Sequence, residues 1–181
     1  EGGPNQSIEV SQITVSKSVM ASKPGEPWKM PPLLKIYEAF GALADGRVRL
    51  EDESHASVLS SDRTKTYQVE ISGEDRVISS NDNASYWQGY LGYPAIAAML
   101  VRGLCPVRAE AISALAGISW NELNRSFRND YSRTIAEVMR RAEERGFDST
   151  IIAAEAEAVL SKLREFGPLR GSRRRPARPL P

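Results

Sequence analysis

Apolar residues first recur with a helical period at Leu33, Ile36, Tyr37, Phe40, Leu43 and Ala44, leaving Lys35, Glu38 and Ala39 for the opposite face. Pro31-Pro32 precedes this stretch and Asp45-Gly46 ends it, so the spacing predicts an amphipathic helix with a defined start and stop. From Arg47 the period falls to two. Val48 and Leu50 alternate with Arg47, Arg49 and Glu51, and further alternating stretches run over His55–Ser60, Lys65–Ser72 and Arg76–Ser79, with Tyr67, Val69 and Ile71 on one face. Turn-forming clusters separate them at Asp52-Glu53-Ser54, Ser61-Asp62-Arg63 and Gly73-Glu74-Asp75. The pattern predicts a four-stranded antiparallel meander whose apolar face needs helices to cover it.

Beyond the sheet, Asn81-Asp82-Asn83 offers N-cap chemistry, and the run Ala95–Val101 is apolar on all sides with Pro94 at a first-turn position, which predicts a buried helix. Further helices are expected at Val107–Leu115, at Trp120–Arg145 with a break near Asn129-Asp130, and at Ser149–Phe166. In the last, Ile152, Ala156, Val159, Leu163 and Phe166 keep a 4-3-4-3 spacing with Glu155 and Lys162 as flanking charges. About two heptads leave packing within the chain and homo-oligomerisation through the C-terminal helices equally open. The fold class is α+β: an N-terminal helix, a four-stranded antiparallel meander covered by helices, then an α-helical C-terminal region. Four segments follow: a flexible 1–27 with an edge-strand candidate at Glu9–Val19, a helix-and-sheet domain over 28–103, a helical region over 104–166, and a disordered basic Arg/Pro tail over 167–181.

Charge changes the picture only when it is located. The 24 Lys+Arg and 23 Asp+Glu nearly cancel, but five arginines (Arg170, Arg173, Arg174, Arg175 and Arg178) follow the last acid, Glu165. A mildly acidic body of −4 therefore carries a tail of +5 that is suited to touching an anionic partner. A single cysteine, Cys105, forbids an intrachain disulfide, and with His55 as the one histidine no structural zinc set exists. The longest uncharged stretch, Ala84–Val101, is too polar and too broken by glycine and proline for a membrane span, and no leader pattern opens the chain. The expectation is a soluble, cytoplasmic protein. No phosphate loop, nucleophile elbow or His-paired nucleophile is present, so no catalytic residue, metal ligand or cofactor is expected.

Two features bear on binding. Tyr86, Trp87, Tyr90 and Tyr93 crowd the uncharged segment NASYWQGYLGYP, where a helical Tyr86 and Tyr90 share a face and can form a platform on which bases stack. Aromatic residues so placed also fill gaps between helix and sheet, which makes a protein–protein interaction or assembly module the competing reading. The cations Arg47, Arg49, Lys65 and Arg76 lie on or beside the strands, with Arg47 and Arg49 expected on one face and Trp28-Lys29 at its entrance; such a stripe can track a phosphate backbone. A third pattern, over residues 111–128, has a glycine turn followed by Ile118 and Leu123, with Asn121, Asn124 and Arg125 where a duplex-reading helix-turn-helix places its base contacts.

The helix, the meander, the segment SSNDNASYWQGYLGYPAIAAML and the heptad-like last helix together resemble, over roughly Trp28–Arg102, the ThermoDBP-type single-stranded DNA-binding proteins of hyperthermophilic archaea and their related groups. The resemblance is one of architecture. It implies a non-enzymatic, sequence-tolerant binder of single-stranded DNA or RNA without an OB-fold, oligomeric through its C-terminal helices. It further implies base contacts from Trp28, Tyr86, Trp87 and Tyr90, and phosphate contacts from Lys29, Arg47, Arg49, Lys65 and Arg76.

Overall fold

The computed structural model describes residues 24–181, so the edge strand expected at Glu9–Val19 lies outside the described residues. Helix α1 (Leu33–Ala44) starts directly after Pro32 and stops where the Asp45 N–H bonds back to the Gly41 carbonyl at 3.0 Å. The meander follows as β1 (Val48–Leu50), β2 (His55–Leu59), β3 (Thr66–Ser72) and β4 (Val77–Ser80), antiparallel throughout and in register at Val48↔Val58, Val58↔Tyr67 and Ile71↔Ile78. Alternation places Ala56, Val58, Val69, Ile71 and Ile78 against the helices, as the two-residue period requires.

A π-turn (Ala84–Gln88) leads into α2 (Tyr93–Val101), which is buried along Pro94–Leu100 because it lies between α1 and the sheet. The capping expectation needs a correction. The Asp82 carboxylate accepts the Ser85 N–H, so it organises the π-turn, whereas α2 starts at Gly92 with no side-chain cap.

The helical region consists of α3 (Ala109–Ser113), α4 (Trp120–Ser126), α5 (Tyr131–Glu144) and α6 (Ser149–Phe166). Asp130 and Asp148 cap α5 and α6, accepting the Arg133 and Thr150 N–H groups at 3.2 and 2.8 Å. Ile152, Ala156, Val159 and Leu163 of the heptad-like seam are buried within the chain, where α6 packs on α1, α3 and α5. That face of α6 is therefore spent inside the fold.

α1 differs from an amphipathic surface helix. Glu38 and Ala39, expected outside, are buried: Asn124 of α4 donates to Glu38, and α2, α3, α5 and α6 pack around α1, which becomes the central helix of the molecule. Phe40, Leu34 and Ile36 are fully enclosed there, and truncating such a phenylalanine to alanine costs about 3–5 kcal/mol.

The tail is the largest departure. β5 (Leu169–Arg170) adds to β4 in parallel and makes the sheet five-stranded and mixed, in the order β1-β2-β3-β4-β5. The first described residues knit to its other side: the Gly25 N–H donates to the Arg170 carbonyl at 2.7 Å and the Arg170 N–H to the Glu26 carbonyl at 2.8 Å. Farther on, the Gly171, Ala177 and Leu180 N–H groups donate to the carbonyls of Ile78, Asn81 and Thr64. Composition marks this stretch as unstructured because it lacks apolar periodicity; its order instead comes from backbone hydrogen bonds and arginine contacts, which hydrophobic patterning does not register.

Candidate nucleic-acid interface

The site starts from a buried carboxylate. Asp82, 4% exposed, accepts hydrogen bonds from the Ser80 hydroxyl (2.5 Å), the Ser85 hydroxyl (2.6 Å) and the Ser85 N–H (2.9 Å), and the Gly92 N–H donates to the same Ser85 hydroxyl at 3.1 Å. A side chain at Gly92 would overlap the Asp82 carboxylate, so only glycine lets the chain pass this knot. The knot fixes the π-turn, and the π-turn carries Tyr86 and Trp87. π-turns are rare and gather at functional sites.

Trp87 stands 59% exposed, with the Tyr86 ring edge-on at 4.7 Å between centroids. The helical expectation for this segment fails at Gly89, whose φ of 76° ends the turn. Tyr90 is thereby turned off the shared face. It is half-buried, and burial together with a hydrogen bond to Tyr131 pushes its phenol well above the ordinary tyrosine range.

Cations reach these rings from the far end of the chain. The Arg173 guanidinium lies 4.0 Å over the Tyr86 ring and donates to the Tyr86 carbonyl at 3.3 Å. The buried Arg170 stacks on Trp28 at 4.4 Å and donates to the Gly89 carbonyl; burial lowers its pKa, yet a guanidinium stays protonated. Trp28, Lys29, the π-turn and residues 170–174 together line a cleft of about 230 Å³ in which, among the described residues, no Asp or Glu takes part. Arg174, at its margin, pairs with Glu70 of β3.

The sequence-predicted residues divide accordingly. Trp28, Lys29, Tyr86 and Trp87 meet in this cleft. Trp28 serves as its floor rather than as a free stacking face, since it is 8% exposed and its indole N–H donates to the Ile78 carbonyl at 3.1 Å. The basic sheet stripe does not form. Arg47 precedes β1 and is buried, donating to the Leu59 carbonyl at 2.7 Å and to Asp45 at 3.3 Å, while Arg49 points to solvent beside Glu51, so the two do not share a face. Lys65 bridges to Pro179 of the tail, and Arg76 donates to the Phe166 carbonyl at 3.2 Å; neither lines the aromatic cleft. The sequence marks the arginine run as suited to an anionic partner, but its spacing does not place Arg170, Arg173 and Arg174 beside the aromatic residues, where cations of the strands were expected.

The duplex-reading pattern is also corrected. α3 and α4 are five and seven residues long, and Trp120 and Leu123 are buried. Asn121 donates to Asp62 at 2.9 Å and Asn124 to Glu38 at 2.8 Å, so two of the three groups proposed to read bases are engaged within the chain, while Arg125 is exposed.

A family model described as uncharacterised conserved protein UCP014422 matches residues 28–168. The chain belongs to that family. Neither a curated protein nor a solved structure matches it. The UCP014422 match takes in Trp28, Lys29, the Asp82 knot and the π-turn, and it stops one residue before β5. The aromatic wall of the cleft is thus family territory, whereas Arg170, Arg173 and Arg174 lie beyond the match.

Proposed function

We propose that the protein binds single-stranded nucleic acid, without acting on it chemically, in the cleft between the π-turn and the C-terminal tail. One observation carries this reading: an exposed indole and its edge-on tyrosine stand in a cleft bordered by a lysine and tail arginines and lined, among the described residues, by no carboxylate. Stacking on aromatic rings suits any base, and guanidinium and ammonium groups suit the phosphates between bases. An exposed indole beside lysine and arginine is what a strand's alternation of flat rings and negative charge requires of its binder. The resemblance to the ThermoDBP-type proteins is the reason to begin with single strands. No helix among the described residues is long and apolar enough to cross a membrane, and we place the activity in the cytoplasm.

The test is a fluorescence-anisotropy titration of labelled single-stranded oligonucleotides of mixed sequence, repeated over a series of salt concentrations. Trp87→Ala removes one stacking ring and should weaken binding by about 1–3 kcal/mol, or about five- to 150-fold in Kd. Affinity should fall with salt at a slope near −0.7 per phosphate neutralised. No binding at low salt, or a Trp87→Ala affinity equal to that of the parent, would overturn the proposal.

A further inference from the structure

On the other side of the π-turn lies a second cleft of about 300 Å³, near the lower bound for small-ligand pockets, between α1, α4 and α5. Its polar end is formed by the α1 groups that amphipathic patterning assigns to solvent. Glu38, 3% exposed, accepts from the Lys35 ammonium at 2.7 Å through one oxygen and from the Asn124 amide at 2.8 Å through the other. A carboxylate offers about four acceptor positions, so two on Glu38 are uncommitted by these bonds. The Asn124 carbonyl oxygen is buried and has no hydrogen-bond partner among the described residues. Because its amide must donate to Glu38, that oxygen cannot be exchanged with the nitrogen by a flip. Tyr67, Tyr93 and Tyr131 supply flat apolar walls, the Lys35 ammonium lying 5.5 Å from the Tyr131 ring centre.

Three groups of defined polarity therefore meet at one end of an aromatic slot: two acceptors side by side, Glu38 and the Asn124 carbonyl, and one cationic donor, Lys35. We infer that this cleft binds a small planar heterocycle whose edge presents two adjacent N–H donors beside a carbonyl, the guanine nucleoside being the form tested. Guanine carries N1–H and the N2 amino group next to O6. Adenine and uracil lack that order: adenine sets one amino donor beside ring acceptors, and uracil sets one N–H between two carbonyls. A ligand of this kind would give the orphaned Asn124 oxygen its donor, and an unpaired buried acceptor is unfavourable enough to favour such a partner. Burial also raises the Tyr67 phenol to about 12, which keeps that wall neutral at physiological pH.

This inference does not depend on the Trp87 cleft, and its probes carry no phosphate. Isothermal titration of the full chain with guanosine and with adenosine, at concentrations up to about 1 mM, should show one guanosine site and at least about tenfold weaker adenosine binding. Asn124→Ala should weaken guanosine about tenfold and Trp87→Ala should leave it unchanged. Circular dichroism establishes that each variant is folded. Should Asn124→Ala unfold, Lys35→Met supplies the same readout, because it removes the donor that meets the carbonyl. The inference is overturned if guanosine does not bind, if adenosine binds equally well, or if the cleft variants bind guanosine as the parent does. Loss of guanosine binding in Trp87→Ala alone would also overturn it, by moving the nucleoside to the aromatic cleft.

Discussion

Asp82→Ala is the substitution that most directly tests how the π-turn is held. Three donors converge on a carboxylate that is almost wholly enclosed: two serine hydroxyls and the Ser85 N–H. Hydrogen bonds to a charged acceptor contribute about 1.5–3 kcal/mol each, and a buried donor left without a partner costs about 1–3 kcal/mol. Simple addition overstates the loss, for two reasons. The Ser85 hydroxyl keeps its bond from the Gly92 N–H, and removing a buried charge recovers part of its desolvation penalty. The expected destabilisation is about 3–5 kcal/mol, with Asp82→Asn nearer 1–2 kcal/mol because the amide oxygen can still accept from the Ser85 N–H. Urea unfolding followed by far-ultraviolet circular dichroism measures both. A paired readout is Trp87 emission in the folded state, which should shift in Asp82→Ala because the turn carrying the indole loses its anchor. An Asp82→Ala protein within about 1 kcal/mol of the parent would refute the claim that this knot organises the turn, and the stacking surface would then owe its position to other contacts.

Other outcomes follow from the same contacts. Deleting residues 172–181 should lower the urea midpoint modestly, since the Ala177 and Leu180 backbone bonds and the Arg174–Glu70 pair go while β5 and Arg170 remain, and should weaken oligonucleotide binding and flatten its salt dependence through loss of Arg173; an unchanged salt slope would remove the tail from the site. Arg170→Ala should destabilise by about 2–4 kcal/mol, since its stack on Trp28 and its bond to the Gly89 carbonyl tie β5 and the Trp28 segment to the π-turn. A Tyr67 phenol near 12 against an unfolded value near 10 means that the folded state holds this proton more tightly. Its contribution to stability is complete below pH 10 and is lost as pH rises through 12. Ultraviolet titration should show a late-ionising tyrosine that Tyr67→Phe removes, and a Tyr67→Phe curve identical to the parent's would contradict this.

The helix at Leu33–Ala44, the four meander strands and the helix at Ser149–Phe166 were legible because each is set by a periodic apolar face, and period is a local property of sequence. What the period could not reveal is which polar faces become buried. Lys35 and Glu38 read as a solvent face, and only the return of α4 and α5 over α1 makes them the floor of a cleft. Arg47 and Arg49 read as neighbours on one face because they are two residues apart. The turn out of Asp45-Gly46 delays β1 until Val48, so Arg47 never joins the strand's alternation and swings toward Tyr93 instead. The aromatic cluster was legible in composition but not in geometry: a π-turn capped by Gly89 separates Tyr86 from Tyr90, and no periodic signal announces such a turn.

The position of the cations follows from the same limitation and bears on how the candidate site works. Tyr86 and Arg173 are 87 residues apart in sequence, so their stacking is visible only once β5 has brought the tail back along β4. A body of −4 repels a polyanion as a whole, and at physiological ionic strength fields from exposed charges fade within about 8 Å, so only cations at the cleft itself can act on a strand there. Among the described residues, Lys29 is the one such cation from the main body, and the others arrive with the tail. Arg170 is locked by burial and backbone carbonyls and Arg174 is paired with Glu70, which leaves Arg173 and Lys29 as the cations best placed to exchange protein contacts for phosphates. Arg173 also covers one face of Tyr86, so a base that stacks there must take the guanidinium's place, and the displaced charge is then beside the phosphate it can neutralise. Aromatic face and cation are thus two halves of one exchange, and the matched family region supplies only the first half together with Lys29.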